Sequence, residues 1–404
     1  MAALALTVAA CGGDDGDSGG GGGGGGGGKT LTIYSSLPLQ GASRPQSEDV
    51  IKGIKLALKE HGGKAGKVTV KYQSLDDSTA SAGKWDAGQT KANARKVAQD
   101  DKAIAYIGEF NSGASANSIP TLCQAGILQV SPSNTALGLT KSGDGAEPGE
   151  PDKYYPNCER NYGRVVPIDT IQGAAQASYM KDEGVTSVYI LDDQEVYGQG
   201  VAANTKTALG KLGIKIAGED GWDGKAANYR ALGAKIKSSG ADAVFTGGII
   251  DNNGAQLYKD INSAIPTAKI FGPDGMSTET LSGEIPPEVQ KQTFLTAPTV
   301  SPDELPPAGQ KFYKDYEKAY NDDQIDPYAV YGYEAADAVL DSIDQGKDDR
   351  AAVIKAFFSI KDKDSVLGTY SIDPDGDTTL STYGAYIAKG GKLVFNKSIK
   401  AATS

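Results

Sequence analysis

Residues 103–115, AIAYIGEFNSGAS, decide the fold that this sequence predicts. The apolar run Ala103–Ile107 has the length and composition of a buried strand. A polar turn follows and leads into a helical pattern over Gly113–Gln124, after which Ile127–Val130 forms a second apolar run. A strand, a helix and another strand in this order predict a βαβ crossover within a parallel sheet.

The same alternation extends along most of the chain, on both sides of a Gly- and Pro-rich surface loop predicted over Lys141–Pro156. Further strands are predicted at Leu31–Tyr34, Val68–Tyr72, Ser187–Leu191, Ile214–Ala217, Ala243–Thr246, Ala268–Phe271, Thr293–Ala297, Gly368–Ile372, Thr382–Ala388 and Leu393–Phe395. Further helices are predicted at Glu48–Glu60, Lys84–Gln99, Thr170–Glu183, Gly200–Leu212, Ala226–Ser238, Asn253–Ser263, Ala308–Tyr320, Tyr328–Ile343 and Arg350–Phe358. The fold class is therefore α/β, with two doubly wound, Rossmann-like lobes and a natural ligand site in the cleft between them.

Composition excludes several classes of function. The chain has 404 residues and a net charge of −11, and its charges are mixed rather than blocked, so nucleic acid is not an expected partner. Its single histidine, His61, is expected to be a solvated loop residue, and a histidine-based zinc site cannot be assembled. No Gly-x-Gly-x-x-Gly or Lys-Ser/Thr phosphate loop opens a helix, so no nucleotide or other cofactor is predicted.

The N-terminus resembles the signal of a bacterial lipoprotein. An apolar run ends in Val8-Ala9-Ala10-Cys11, and unbroken glycine follows from Gly19 to Gly28. Small residues before a cysteine resemble a signal-peptidase site, so Cys11 is expected to be acylated and residues 1–28 to form a signal and a flexible tether. No Lys or Arg precedes Cys11, so a longer natural start is expected; an incidental cysteine is the alternative.

Two cysteines remain if Cys11 is lipidated. Cys123 and Cys158 are an even number in an oxidising compartment, where disulfides persist. They either form a disulfide or stay as two thiols, because sequence spacing does not fix the distance between them.

Two polar turns follow neighbouring strands of the first unit. Ser112 comes after Ala103–Ile107 at the start of a helix, where free backbone N–H groups favour an anion. Ser133 and Thr135 lie in the turn after Ile127–Val130. Together the turns predict a carboxylate pocket, although Ser112 could equally cap its own helix.

The second unit offers groups for a cationic partner. Tyr197 and Asp274 follow two of its strands, so Asp274 could pair with an ammonium group and Tyr197 could close over the ligand. Asp274 also fits an ordinary Pro-Asp-Gly turn. The run Asp373–Asp377 is expected to be a hairpin turn rather than a calcium loop, and no metal site is predicted.

Taken in order, six landmarks resemble the substrate-binding proteins of ABC importers, specifically the branched-chain amino-acid (leucine/isoleucine/valine) binding family. They are Tyr34–Gly41, Ile107–Ser112, Gly126–Thr135, Asp193–Gly200, Gly247-Gly248 and Phe271–Gly275. The resemblance implies two lobes joined by three crossovers near Val166–Ile168, Ala297–Thr299 and Gly368–Ser371. It divides the chain into 29–167 plus 298–367 for lobe 1 and 168–297 plus 368–404 for lobe 2.

The resemblance also implies a function without catalysis. A monomeric, lipid-anchored, extracytoplasmic protein would capture an amino acid or related small polar ligand and deliver it to an ABC permease and its ATPase subunits. Ser112, Ser133 and Thr135 match contacts to the ligand carboxylate, and Tyr197 and Asp274 match contacts to the ammonium group. A sensory ligand-binding module and a secreted carboxylate-dependent hydrolase are the alternatives.

The chain departs from the family pattern at three places. Ile249 stands where a tyrosine is usual, Asp274 is one methylene shorter than the common glutamate, and the loop Gln40–Pro45 is longer and more basic. These departures leave amino acids, amides, urea-like compounds and other small carboxylates open as ligands.

Overall fold

The computed structural model describes residues 29–401. Its strands are β1 Thr30–Leu37, β2 Lys64–Ala65, β3 Val68–Asp76, β4 Ser78–Thr79, β5 Lys84–Trp85, β6 Ala103–Gly108, β7 Leu128–Ser131, β8 Tyr162–Arg164, β9 Ser187–Asp192, β10 Lys215–Gly221, β11 Ala243–Gly247, β12 Lys269–Gly272, β13 Thr293–Ala297, β14 Lys363–Ser365, β15 Gly368–Tyr370, β16 Thr382–Lys389 and β17 Lys392–Lys400. Its α-helices are α1 Arg44–Glu60, α2 Ala87–Ala98, α3 Ser112–Gln124, α4 Asp169–Asp182, α5 Val196–Lys211, α6 Arg230–Ser239, α7 Gly254–Ala264, α8 Glu279–Glu284, α9 Pro287–Gln290, α10 Pro307–Tyr320, α11 Ala329–Gly346 and α12 Arg350–Phe358. The expected acylation of Cys11 and the glycine tether lie outside the described residues.

Two separate sheets organise the chain. The first has the order β2-β3-β1-β6-β7-β8 and is parallel except for the pairing of β2 with β3. The second has the order β10-β9-β11-β12-β13-β16-β17, in which β16 and β17 add two antiparallel strands to a parallel sheet. Strand order that reverses around a central strand confirms the expected doubly wound α/β architecture.

Each sheet has its own apolar core. In the first lobe α1 and α11 pack together, and Val50, Ile54 and Val339 are fully buried against the strands. In the second lobe the helices α4 to α9 cover the other sheet, where Val201 and Leu257 are fully buried. The first lobe therefore consists of β1–β8, α1–α3 and the later helices α10–α12, and the second lobe of β9–β13, α4–α9 and β16–β17. No helix among residues 29–401 is both long and apolar enough to cross a bilayer.

The third crossover differs from the expected position. The segment Gly368–Tyr370 pairs with Lys363–Ser365, and Tyr370 and Ile372 pack in the core of the first lobe. The chain enters the second sheet only at Thr382. Apolar side chains that fit the first core hold this hairpin there, whereas the expected division assigned residues 368–404 together.

The predicted helix over Lys84–Gln99 is shorter in the structure. Lys84–Trp85 pairs with Ser78–Thr79, forming a small two-stranded arm. The helix begins at Ala87, because the carboxylate of Asp86 accepts the Gln89 N–H at 2.8 Å and caps its first turn.

A disulfide and a turn of the first lobe are defined by the structure. Cys123 and Cys158 form a disulfide, which anchors the loop after β7 to α3. The Asp373–Asp377 turn is held by protein cations: Arg164 Nε lies 2.7 Å from Asp377 and Arg160 Nη1 lies 2.9 Å from Asp375. Among residues 29–401 no group of three or more His, Cys, Asp and Glu side chains is placed to hold a metal ion.

Two lobe-spanning contacts, which we call the interlobe latch, consist of Asp251 with Ser43 and Lys84 with Glu195. The Asp251 carboxylate of the second lobe accepts the backbone N–H of Ala42 at 2.6 Å, the N–H of Ser43 at 3.2 Å and the Ser43 hydroxyl. The Lys84 ammonium on the small arm pairs with Glu195, whose other oxygen accepts Trp85 Nε1 at 3.0 Å.

Removing the latch is expected to open the lobes. In Asp251→Ala three donors of the first lobe lose a charged acceptor, and hydrogen bonds to charged groups contribute about 1.5–3 kcal/mol. Small-angle scattering of the ligand-free protein should report a larger radius of gyration than in the wild type. Glu288→Ala, which changes an exposed carboxylate on α9, serves as the control. Identical scattering from Asp251→Ala and the control would contradict the latch.

His61 is half-buried rather than a freely solvated loop residue. Its Nε2 lies 2.8 Å from Asp337 Oδ1, and this hydrogen bond raises the pKa of His61 against the opposing effect of burial. The charges of Asp337 and Asp341 raise the pKa of His61 further, and Lys363 lowers it. The cause of the wrong expectation is that Asp337 lies on α11, far from His61 in the sequence.

This contact predicts a pH-dependent contribution to stability. Because the folded-state pKa is raised, the contribution is complete below the ordinary histidine pKa of about 6.5 and is lost as the pH rises through the folded-state value. Urea unfolding should therefore show the largest stability difference between wild type and His61→Asn in mild acid and the smallest in alkali. A difference in stability between wild type and His61→Asn that does not change with pH would argue against this role of the His61–Asp337 contact.

Candidate functional site

The first-lobe turns pack together at the carboxyl ends of β6 and β7. Ser112 begins α3, and its Oγ accepts the Ala136 N–H at 3.3 Å. Ser133 Oγ donates to the carbonyl of Phe110 at 2.9 Å. Thr135 is fully buried, and its Oγ1 has no hydrogen-bond partner among the described residues. The three predicted first-lobe residues thus come from two loops that are bonded to each other.

The two predicted residues of the second lobe are in direct contact. Tyr197 lies in the first turn of α5, and Asp274 opens a short 3₁₀ turn after β12. Tyr197 Oη donates to Asp274 Oδ1 at 2.5 Å. The turn depends on glycine, since a Cβ at Gly275 would lie 2.6 Å from the carbonyl oxygen of Gly248 and 2.9 Å from Tyr197 Cε1. Ile249 also packs against this position, so the departure from tyrosine lies beside Asp274.

One aromatic residue links the two lobes at the site. Tyr328, directly before α11 in the first lobe, donates its hydroxyl proton to Asp274 Oδ2. Its ring meets the Phe110 ring edge-on, with centroids 5.5 Å apart. A continuous path therefore runs from Ser133 through Phe110 and Tyr328 to Asp274.

A second path connects Thr135 with the same carboxylate. The N–H of Asp169 donates to the Thr135 carbonyl at 2.8 Å. Gln172 Nε2 donates to Asp169 Oδ1 at 3.0 Å and to Asp274 Oδ1 at 2.6 Å. With Ser112 bonded to the residue after Thr135, all five predicted residues lie around one region between the lobes.

The electrostatics of the site are dominated by two buried carboxyl groups. Burial raises the pKa of Asp274, while hydrogen bonds from Tyr197, Tyr328 and Gln172 act in the opposite direction. Burial, and then the charge of Asp274, raises the pKa of Asp169 to about 8. Asp169 Oδ2 has no hydrogen-bond partner, and neither carboxylate forms an ion pair with any residue in the 29–401 range. A group that carries positive charge would complete this arrangement.

Sequence reasoning missed Asp169, Gln172 and Tyr328. Asp169 and Gln172 follow a predicted crossover, and Tyr328 appeared only as the first residue of a helix. The available signal for Asp169 was an acidic residue at a helix start next to the crossover, but that signal equally fits a helix-dipole interaction.

Comparisons with known proteins identify the family of this chain. The family model described as "Periplasmic binding protein" matches residues 30–392. The Leu/Ile/Val-binding protein homolog 2 of Brucella abortus is 27% identical over 356 residues, which cover 86% of this chain and 87% of that protein.

Solved structures share the fold. A leucine-binding protein from Thermotoga maritima superposes with a TM-score of 0.79 at 22% identity, covering 92% of this chain and 99% of its own. A solute-binding protein from an ABC transporter of R. palustris, solved in complex with benzoate, superposes with a TM-score of 0.75 at 19% identity, covering 93% and 98%.

The family and these structural neighbours are substrate-binding proteins rather than enzymes, and membership of the family implies a location outside the cytoplasm. With two doubly wound lobes that meet around five buried polar residues and a family match over most of its length, this chain belongs to the periplasmic binding protein family.

Proposed function

We propose that this protein captures an amino acid between its lobes and delivers it to an ABC permease with its ATPase subunits. The observation that carries the proposal is the pair of buried carboxyl groups, Asp169 and Asp274, opposite the polar loops of the first lobe. A zwitterion offers an ammonium group to the one side and a carboxylate to the other.

The first lobe supplies the groups suited to a ligand carboxylate. Free backbone N–H groups at the start of α3 and the helix dipole favour negative charge there. Ser112 and the unpartnered Thr135 hydroxyl add side-chain donors beside them. Ser133 has a more structural role in this proposal, because its hydroxyl already donates to Phe110.

The second lobe supplies the groups suited to the ammonium. Asp274 is only 4% exposed and Asp169 is fully buried, so an ammonium between them would be paired in a desolvated setting. Since Tyr328 of the first lobe bonds Asp274 of the second, a ligand held by both sides would favour the closed arrangement.

A small aromatic carboxylate is the second candidate. Tyr197 and Tyr328 both bond Asp274, the Phe110 ring packs against Tyr328, and an R. palustris neighbour was solved with benzoate. Such a ligand has no cation for Asp169 and Asp274, so it would leave two buried carboxyl groups without a counter-charge.

Calorimetry with leucine, isoleucine, valine and benzoate separates the two candidates. An amino acid is expected to bind the wild type, and Asp274→Asn should weaken it by about 2–5 kcal/mol, because a desolvated charge partner is lost. Glu288→Gln on the exposed surface of α9 is the matched control. Benzoate binding alone, with no dependence on Asp274, would overturn the amino-acid assignment.

We further propose that acylated Cys11 holds the protein at the membrane and that residues 12–28 act as its tether. The support is the run of small residues before Cys11 and the glycine run after it. Expression in a bacterial host should place the wild type in the membrane fraction and release Cys11→Ser in soluble form, unless the cysteine is incidental.

A further inference from the structure

A cavity of about 230 Å³ lies along the seam between the lobes. Its walls include Gln46, Tyr313 and Asp326 from the first lobe and Glu279, Tyr386 and Phe395 from the second. None of the five predicted site residues lines it. The proposed amino-acid site therefore does not account for this cavity.

The lining of the cavity carries acidic groups and neither lysine nor arginine. The Asp49 carboxylate is already satisfied, since Lys52 Nζ lies 2.8 Å from Oδ1 and the Asp326 N–H donates to Oδ2 at 3.0 Å. Asp326 and Glu279, from opposite lobes, form no ion pair with any described residue of the chain. Burial, with the charges of Asp49 and Glu279 adding to it, raises the pKa of Asp326 to about 7.

The rest of the lining indicates the shape of a ligand. Tyr386 and Phe395 meet edge-on with ring centroids 5.6 Å apart, and Tyr313 adds a third aromatic wall. Aromatic faces attract organic cations, most strongly where water is excluded. Gln46 is only 3% exposed, and its Nε2 donor has no partner within hydrogen-bond distance among residues 29–401. Its side chain lies near Asp326, where it lowers the pKa of that carboxyl, so a ligand oxygen beside Asp326 would satisfy the free donor.

We propose that this cavity is a second binding site for a small organic cation that carries a hydroxyl group, such as an amino alcohol. The cationic nitrogen would lie against the aromatic walls between Asp326 and Glu279, and the hydroxyl oxygen would accept from Gln46 Nε2. The unsatisfied donor distinguishes this ligand from a simple metal ion, which could not accept a hydrogen bond.

The position of the site couples it to lobe closure. Asp326 and Glu279 repel each other across the seam, and a cation between them would replace that repulsion with attraction to both lobes. Such a ligand binds the closed arrangement better than the open one and shifts the population toward it.

Calorimetry of the full chain with choline tests the site. Choline is expected to bind with one-to-one stoichiometry in the absence of any amino acid. Its uncharged isostere, with carbon in place of nitrogen, should bind at least tenfold more weakly, and so should the isostere with methyl in place of hydroxyl. Equal binding of either isostere, or no binding of choline, would overturn the proposal.

Matched variants locate the bound cation. Asp326→Asn and Glu279→Gln should each weaken choline at least fivefold, whereas Glu288→Gln on nearby α9 should leave it unchanged. Choline binding that is untouched by Asp326→Asn and Glu279→Gln would place the cation elsewhere and reject this cavity. Leucine and choline are titrated separately into the wild type, so failure of the amino-acid proposal and failure of this one are distinguishable.

Discussion

The buried carboxylate of Asp274 is the constraint around which the two lobes are arranged. It receives hydrogen bonds from Tyr197 and Gln172 of its own lobe and from Tyr328 of the other. A desolvated carboxylate is costly unless every lone pair finds a donor, so the three donors must stay in place. The position of Tyr328 directly before α11 thus fixes how closely the first lobe approaches the second.

The two sides of the cleft differ in the polar and charged groups that they present. The first lobe presents backbone N–H groups and hydroxyls. A hydroxyl that donates to a carbonyl of the neighbouring loop holds the two loops together, as in the Ser133–Phe110 bond. The second lobe presents carboxyl groups that form no ion pair within the described chain. This asymmetry suits the proposed zwitterionic ligand, whose ammonium group would lie beside the carboxyl groups of the second lobe and whose carboxylate would face the donors of the first.

Local sequence patterns predicted most of the strands and helices. The strand Ala103–Gly108 and the helix after it appear within a residue of their predicted bounds, because an apolar run and a polar turn define both ends. The patterns failed where one particular side-chain contact, near or far in the sequence, decides the outcome. Asp86 shortened α2 by capping it at Ala87, and the hairpin around Gly368 stayed with the first lobe because Tyr370 fits that core.

The site residues divide in the same way, into those that a local pattern predicts and those that depend on contacts elsewhere in the chain. Ser112, Ser133, Thr135, Tyr197 and Asp274 could be chosen because each follows a strand end, and parallel strands bring such ends to one edge. Asp169 and Tyr328 could not, because each belongs to the site through a contact across the seam, Asp169 with Thr135 and Tyr328 with Asp274. Residues that contact each other across the two lobes leave no local pattern in the sequence. Such partners are therefore the hardest part of a site to predict from sequence.

The Cys123–Cys158 bridge has a consequence for how such a chain is made. It closes a loop of 35 residues, and in the chain-entropy account a loop of this size stabilises the folded state by about 4 kcal/mol. In the reducing cytoplasm that stabilisation is withheld, which keeps a newly synthesised chain easier to unfold for export. Oxidation after translocation then completes the fold in the compartment where the protein works.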